Sequence, residues 1–132
     1  MSTYLWPTFS VRDSRREIDF LVEAFGFRQL VAYEDAGRVT HAELAGPKGG
    51  GVMLGAERKD DDRGIVAAGV SCYVVVDDVD ALFARAVAAG AEVAMAPFDT
   101  DYGSRDCALR DPEGNTWFFG TYAGHHDTGA AS

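Results

Sequence analysis

His41 and Glu43 stand two apart in RVTHAEL, and on a strand residues two apart share a face. An imidazole beside a carboxylate can move a proton or offer two ligands to a metal; a solvated ion pair on an outer strand does neither. Asp106, in SRDCALR, occupies the matching place later in the chain and is a third candidate for that group. Cys72 and Cys107 are the only cysteines; neither lies in a CxxC pair, and both sit in apolar runs. They suit buried thiols in a reducing compartment, and a cytoplasmic location is expected. His125 and His126 fall in a tail without apolar periodicity, and Asp60, Asp61 and Asp62 suit a solvated loop.

These residues must be positioned by a fold, and an internal repeat shows which. RDPEGNTWFFG (110–120) faintly copies AGPKGGGVMLG (45–55). A shift of 65 carries Gly55 to Gly120, Pro47 to Pro112, Gly49 to Gly114, Leu44 to Leu109, Val11 to Val76 and Asp13 to Asp78. Gly26 and Gly90 are 64 apart, so one residue of slack lies between the copies. Each copy opens with a strand, YLWPTFSV (4–11) or SCYVVV (71–76). Asp13 or Asp78 then stands at an N-cap position, before helices expected over 14–25 and 79–89. Ile18, Leu21, Val22 and Phe25 recur at helical spacing in the first, and Leu82, Phe83, Ala86 and Val87 in the second. Gly26 and Gly90 stop them, and three shorter strands follow in each half.

The expected architecture is therefore α+β: a single domain over 1–132, with βαβββ modules at about 4–55 and 70–122, a linker at 56–69 and a tail at 123–132. A length of 132 residues buries a sufficient core without staples. The net charge of −9 argues against nucleic acid, because phosphate contacts need a basic face. No apolar run approaches a membrane span, and MSTYLWPTFSVRD lacks the basic and apolar regions of a secretion signal.

The two modules, with VRDSRREIDFLVEAFGF (11–27), VVVDDVDALFARAVAAGAEV (74–93) and YGSRDCALRDPEGNTWFFGTY (102–122), resemble the vicinal oxygen chelate superfamily of glyoxalases, bleomycin- and fosfomycin-resistance proteins and extradiol dioxygenases. The resemblance implies a curled eight-stranded mixed sheet around a cleft, with helices outside, and a homodimer in which the cleft walls come from one chain or from both. It also implies that the ligand positions of metal-dependent members fall on Trp6, Met53, Ser71 and Phe118. Those positions form two pairs 65 apart, as the repeat requires. None is a usual ligand: indole and phenyl offer no lone pair, thioether is soft, and a neutral hydroxyl is weak. No metal and no cofactor is expected.

With Trp6, Met53, Ser71 and Phe118 in the cleft, as the resemblance implies, alternation adds Tyr73; if Leu44 and Leu109 are core residues, it adds His41, Glu43 and Asp106 as the ionisable part. Val52, Leu54, Trp117 and Phe119 face the helices, and so do Leu5, Phe9 and Val11. Tyr102, in the loop PFDTDYG (97–103), is placed as a lid or ordinary surface residue. Aromatic faces with carboxylates suit a planar or cationic ligand. The expected function is metal-free sequestration of a small molecule, resembling the bleomycin-resistance branch. The alternative is a glyoxalase-type lyase or isomerase using His41 and Glu43 or a relocated metal site.

Overall fold

A computed structural model describes residues 5–56 and 71–124. The expected linker from 57 on, its acidic run, and the tail with His125 and His126 lie outside them. Module one comprises β1 (Thr8–Val11), α1 (Ser14–Phe25), β2 (Arg28–Asp35), β3 (Arg38–Ala45) and β4 (Gly51–Ala56). Module two comprises β5 (Ser71–Val75), α2 (Val79–Ala88), β6 (Glu92–Asp99), β7 (Arg105–Arg110) and β8 (Thr116–Gly120). The strands form two four-stranded mixed sheets, ordered β1-β4-β3-β2 and β5-β8-β7-β6. Among the strand pairings of the described residues, β1–β4 and β5–β8 are parallel and the rest antiparallel.

β1 is shorter than expected because Pro7 has no N–H to give to a ladder. Its carbonyl still accepts from the Met53 N–H at 2.9 Å. β2 runs to Asp35, two residues past its expected end. Ala36 and Gly37, both at positive φ, then close a tight hairpin. Both helices start where an Asp caps them: Asp13 accepts from the Arg16 N–H, and Asp78 from the Ala81 N–H. α1 ends at Gly26 in the left-handed conformation.

α1 lies on sheet one and against α2, and α2 covers sheet two. Ile18, Leu21, Ala24 and Phe25 are buried, whereas Val22, expected on the same face, lies at its exposed margin. The two modules share one core. The Trp117 ring lies 5.4 Å from Phe9 and 5.5 Å from both Phe25 and Phe27, and Phe25 meets Phe119 edge-on at 4.8 Å. These rings bring strongly apolar surface from β1, from α1 and from the junction before β2 onto β8, and burial of that area drives docking. Arg85 of α2 adds a polar tie, donating from Nε to the Glu23 carbonyl at 2.9 Å at the end of α1, where the helix dipole favours a cation.

Asp111, in the β7–β8 turn, organises the buried polar part of this contact. It accepts from the N–H groups of Glu113 (2.9 Å) and Asn115 (3.0 Å), from Asn115 Nδ2 (3.2 Å) and from Trp117 Nε1 (2.8 Å). Glu17 on α1 lies close by, fully buried, and neither of its oxygens has a hydrogen-bond partner of ordinary geometry among the described residues. Burial first, then the neighbouring Asp111 and Glu113 carboxylates, pushes its pKa up to about 10.

Candidate functional site

The face of each sheet turned away from its helix carries the chemistry-bearing residues. On sheet one, β2, β3 and β4 pair Tyr33 with His41 and His41 with Gly55, and Glu43 with Met53; Met53 in turn faces Thr8. His41 Nε2 lies 2.9 Å from Glu43 Oε2, and Tyr33 stacks over the imidazole at 6.0 Å and 23°. Trp6 precedes β1 and lies across Gly51, where a Cβ would meet the indole at 2.5 Å. The glycine at the start of β4 therefore makes room for the ring.

On sheet two, Tyr73 of β5 pairs with Phe118 of β8, and Phe118 with Ala108 of β7. Asp106 faces Gly120. A Cβ at Gly120 would overlap both Tyr73 Oη and Asp106 Oδ1, so only glycine admits these side chains. Ser104 Oγ donates to Asp106 Oδ1 at 2.6 Å, and Tyr102 Oη to Oδ2 at 3.4 Å. Tyr73 Oη donates to the Tyr122 carbonyl at 2.8 Å. Burial is the largest influence on the Tyr73 phenol and raises its pKa, so it is neutral. Ser71, opposite Thr116, is exposed at the strand start.

The expected site residues thus fall into two groups. Trp6, His41, Glu43 and Met53 belong to sheet one; Ser71, Tyr73, Tyr102, Asp106 and Phe118 belong to sheet two. Asp106 is engaged by Ser104 and Tyr102, while His41 and Glu43 bond each other. The core-side expectations hold for Phe9, Val11, Val52, Leu54, Trp117 and Phe119, all buried. Leu5 does not join them: it is 84% exposed, because the chain before Pro7 leaves the ladder. Leu5 and Pro7 instead border a cavity of about 350 Å³ between the modules, walled by Phe27, Cys72, Val74 and Trp117. Of the expected site residues, only Tyr73 borders that cavity.

Three residues beside the expected ones were not singled out. Tyr33, Ser104 and Tyr122 each lie two residues from a recognised position or across a strand from one. Alternation through Asp106 finds Ser104, and alternation through Phe118 and Gly120 finds Tyr122. Tyr33 needed the β2–β3 register, which two irregularities shift.

The donor set does not fit a divalent cation. The four positions at which the resemblance puts ligands hold an indole, a thioether, a hydroxyl and a phenyl ring. Among the described residues, no three His, Cys, Asp or Glu side chains converge as metal ligands would.

Comparison with known proteins agrees with this architecture. The Glyoxalase/Bleomycin resistance protein/Dioxygenase superfamily profile matches residues 4–119, and the chain belongs to that superfamily. An uncharacterized protein of Mycobacterium bovis is 34% identical over 125 residues, covering 88% of this chain and 81% of its own length. The crystal structure of TioX from Micromonospora sp. ML1 superposes with a TM-score of 0.78 at 32% identity, covering 90% of this chain and 98% of that one. A family member from Burkholderia phytofirmans shares the fold with a TM-score of 0.73 at 22% identity, over 90% of this chain and 98% of its own.

Proposed function

We propose that this chain is a metal-free small-molecule-binding protein that holds an aromatic or cationic compound without altering it. The observation that carries this reading is the chemistry of the four repeat-related positions. Trp6, Met53 and Phe118 offer stacking and packing surfaces, and Ser71 a neutral hydroxyl, where the family's metal enzymes need imidazole and carboxylate. Trp6, Met53, Tyr73 and Phe118 form the walls. His41, Glu43, Asp106 and Tyr102 supply polar or charged contacts. The protein acts as a homodimer in the cytoplasm, and its partner copy completes the enclosure. Two features support the dimer. Among the described residues, the hydrogen bonds and ring contacts of His41 and Glu43 stay within module one while the hydrogen bonds of Asp106 and Tyr102 stay within module two, and Tyr33, Val93, Met95 and Phe98 are exposed along β2 and β6. The family's inclusion of bleomycin-resistance proteins makes sequestration of a toxic compound a natural role.

The test is a fluorescence screen of aromatic and cationic compounds against the native protein and Trp6→Ala. Binding that Trp6→Ala abolishes while the fold survives is expected. Unchanged affinity in that variant would overturn the reading.

The 2.9 Å His41–Glu43 contact favours a second reading, a lyase or isomerase of the glyoxalase type with His41 as the base and Glu43 orienting it. Turnover of a bound compound that His41→Ala eliminates, with binding retained, would establish it.

A further inference from the structure

We infer that the end of sheet two formed by Tyr73, Tyr102, Tyr122 and Asp106 is a subsite for an alkylated ammonium group. This inference rests on the ligand-binding reading above and names the part of the ligand that this half of the site takes.

The first ground is the carboxylate. Asp106 is only 8% exposed, yet its partners among the described residues are the hydroxyls of Ser104 and Tyr102. A buried carboxylate is stabilised far more by a cation than by neutral hydroxyls alone. Arg105, its neighbour in sequence, points to the opposite face, where Asp80 and Asp99 hold it. His41, the nearest counterpart by repeat, is bonded to Glu43 on the other sheet. Among the described residues no cationic side chain is bonded to Asp106, which leaves that place open to a cation from outside.

The second ground is the set of rings around it. Tyr73, Tyr102 and Tyr122 are 43%, 65% and 40% exposed, so each offers ring surface to a ligand. Tyr102 and Tyr122 meet edge-on at 5.6 Å and 79°, which presents two differently oriented walls. Tyr73 crosses Gly120 toward Asp106 and is fixed there by its bond to the Tyr122 carbonyl. Rings grouped about a carboxylate attract a cation through their faces.

The third ground is what the subsite presents. Asp106 is 8% exposed while the three tyrosines are 40% exposed or more, so an arriving cation meets ring faces before it meets carboxylate oxygen. Ring faces take the N-alkyl groups of a tertiary or quaternary ammonium without needing hydrogen-bond acceptors. One carboxylate with hydroxyls and rings is a poor cage for a metal ion. The net charge of −9 adds a general attraction for a cationic ligand.

The experiment is amide-resolved NMR titration of the full chain with choline and with 3,3-dimethyl-1-butanol, its uncharged isostere. Quinoline, planar and neutral at pH 7.5, serves as a parallel probe. Choline is expected to bind about tenfold or more tightly than the isostere, shifting Tyr73, Tyr102 and Asp106. Asp106→Asn is expected to remove that preference. Should Asp106→Asn fail to fold, Tyr102 serves instead, being on the surface: Tyr102→Phe is expected to keep choline binding and Tyr102→Leu to lose it. Equal affinity for the two isosteres, or shifts confined to Phe27, Cys72 and Trp117 around the intermodule cavity, would overturn the inference. Quinoline bound near Trp6 and Phe118 without any choline binding would overturn the ammonium subsite and leave the ligand-binding reading intact. No response to any of the three probes would count against both.

Discussion

Lys48 Nζ lies 2.7 Å from Asp77 Oδ1, and this ion pair is the repeat counterpart of Arg12 with Glu113, 3.2 Å apart, with the charges exchanged. A shift of 65 carries Lys48 to Glu113 and Arg12 to Asp77. In each case the β-turn that closes one module reaches the start of the helix in the other. The two modules are thus docked about a pseudo-twofold axis, and the electrostatic complement was kept while its sign was reversed.

The two pairs differ in weight. The Glu113 side chain is buried, and it also accepts from the N–H groups of Arg12 (2.8 Å) and Asp13 (2.9 Å) at the head of α1. Lys48 and Asp77 are more exposed, at 50% and 85% of their side chains. Glu113→Ala should cost about 1–2 kcal/mol, as loss of a helix cap does, whereas Lys48→Ala should cost under about 0.5 kcal/mol. Denaturant melts of the two variants check this ordering.

Glu17 makes stability depend on pH. Its carboxyl titrates near 4.5 when unfolded and at about 10 when folded, so between those values the folded chain binds more protons. Stability from this group is present at low pH and is lost as pH rises toward the folded value. The melting temperature should therefore fall from pH 6 to pH 9 more steeply in the native protein than in Glu17→Gln. The glutamine keeps the shape and cannot ionise, and it should be the more stable protein at pH 9.

The thiols should be unreactive in the folded state. Burial pushes Cys107 up to about 11 and also raises Cys72, so neither is a thiolate at neutral pH. Cys107 is fully buried and Cys72 half-buried at the intermodule cavity. Iodoacetamide at pH 7.5 should label Cys72 slowly and Cys107 only after denaturant is added, as peptide mass mapping would read.

Two glycines at repeat-related positions should respond oppositely to the same substitution. Gly120→Ala sets a methyl against Tyr73 and Asp106 and should cost about 1–3 kcal/mol while disordering the tyrosine group. Gly55→Ala meets nothing within 4 Å and should stay within about 0.5 kcal/mol of the native protein. Thermal melts of both variants, with tyrosine near-ultraviolet dichroism, test the pair.

Much of the fold was legible because its signals are local. Asp13 and Asp78 cap the helices, Gly26 ends the first, and alternation assigns Val52, Leu54, Trp117 and Phe119 to the core. The same alternation puts Tyr73, Gly120 and Asp106 on one face, and the close approach of Tyr73 to Gly120 emerges only in three dimensions. What escaped depends on contacts distant in sequence. Leu5 looks like a core residue until Pro7 interrupts the ladder. Glu17 sits on the apolar face of α1, but its surroundings come from Asp111 and Glu113 about a hundred residues on. The stacking of Tyr33 on His41 required a register that local irregularities in β2 alter.

The central claim is that these sheet faces grip an organic molecule instead of chelating a metal. Its most direct test is the metal content of tag-free protein, by plasma mass spectrometry, after incubation with zinc, nickel, manganese and iron(II) and removal of the excess. The account predicts no retained metal. One metal per chain, lost in His41→Ala or Glu43→Ala, would contradict it and identify the His41–Glu43 pair as part of a metal site.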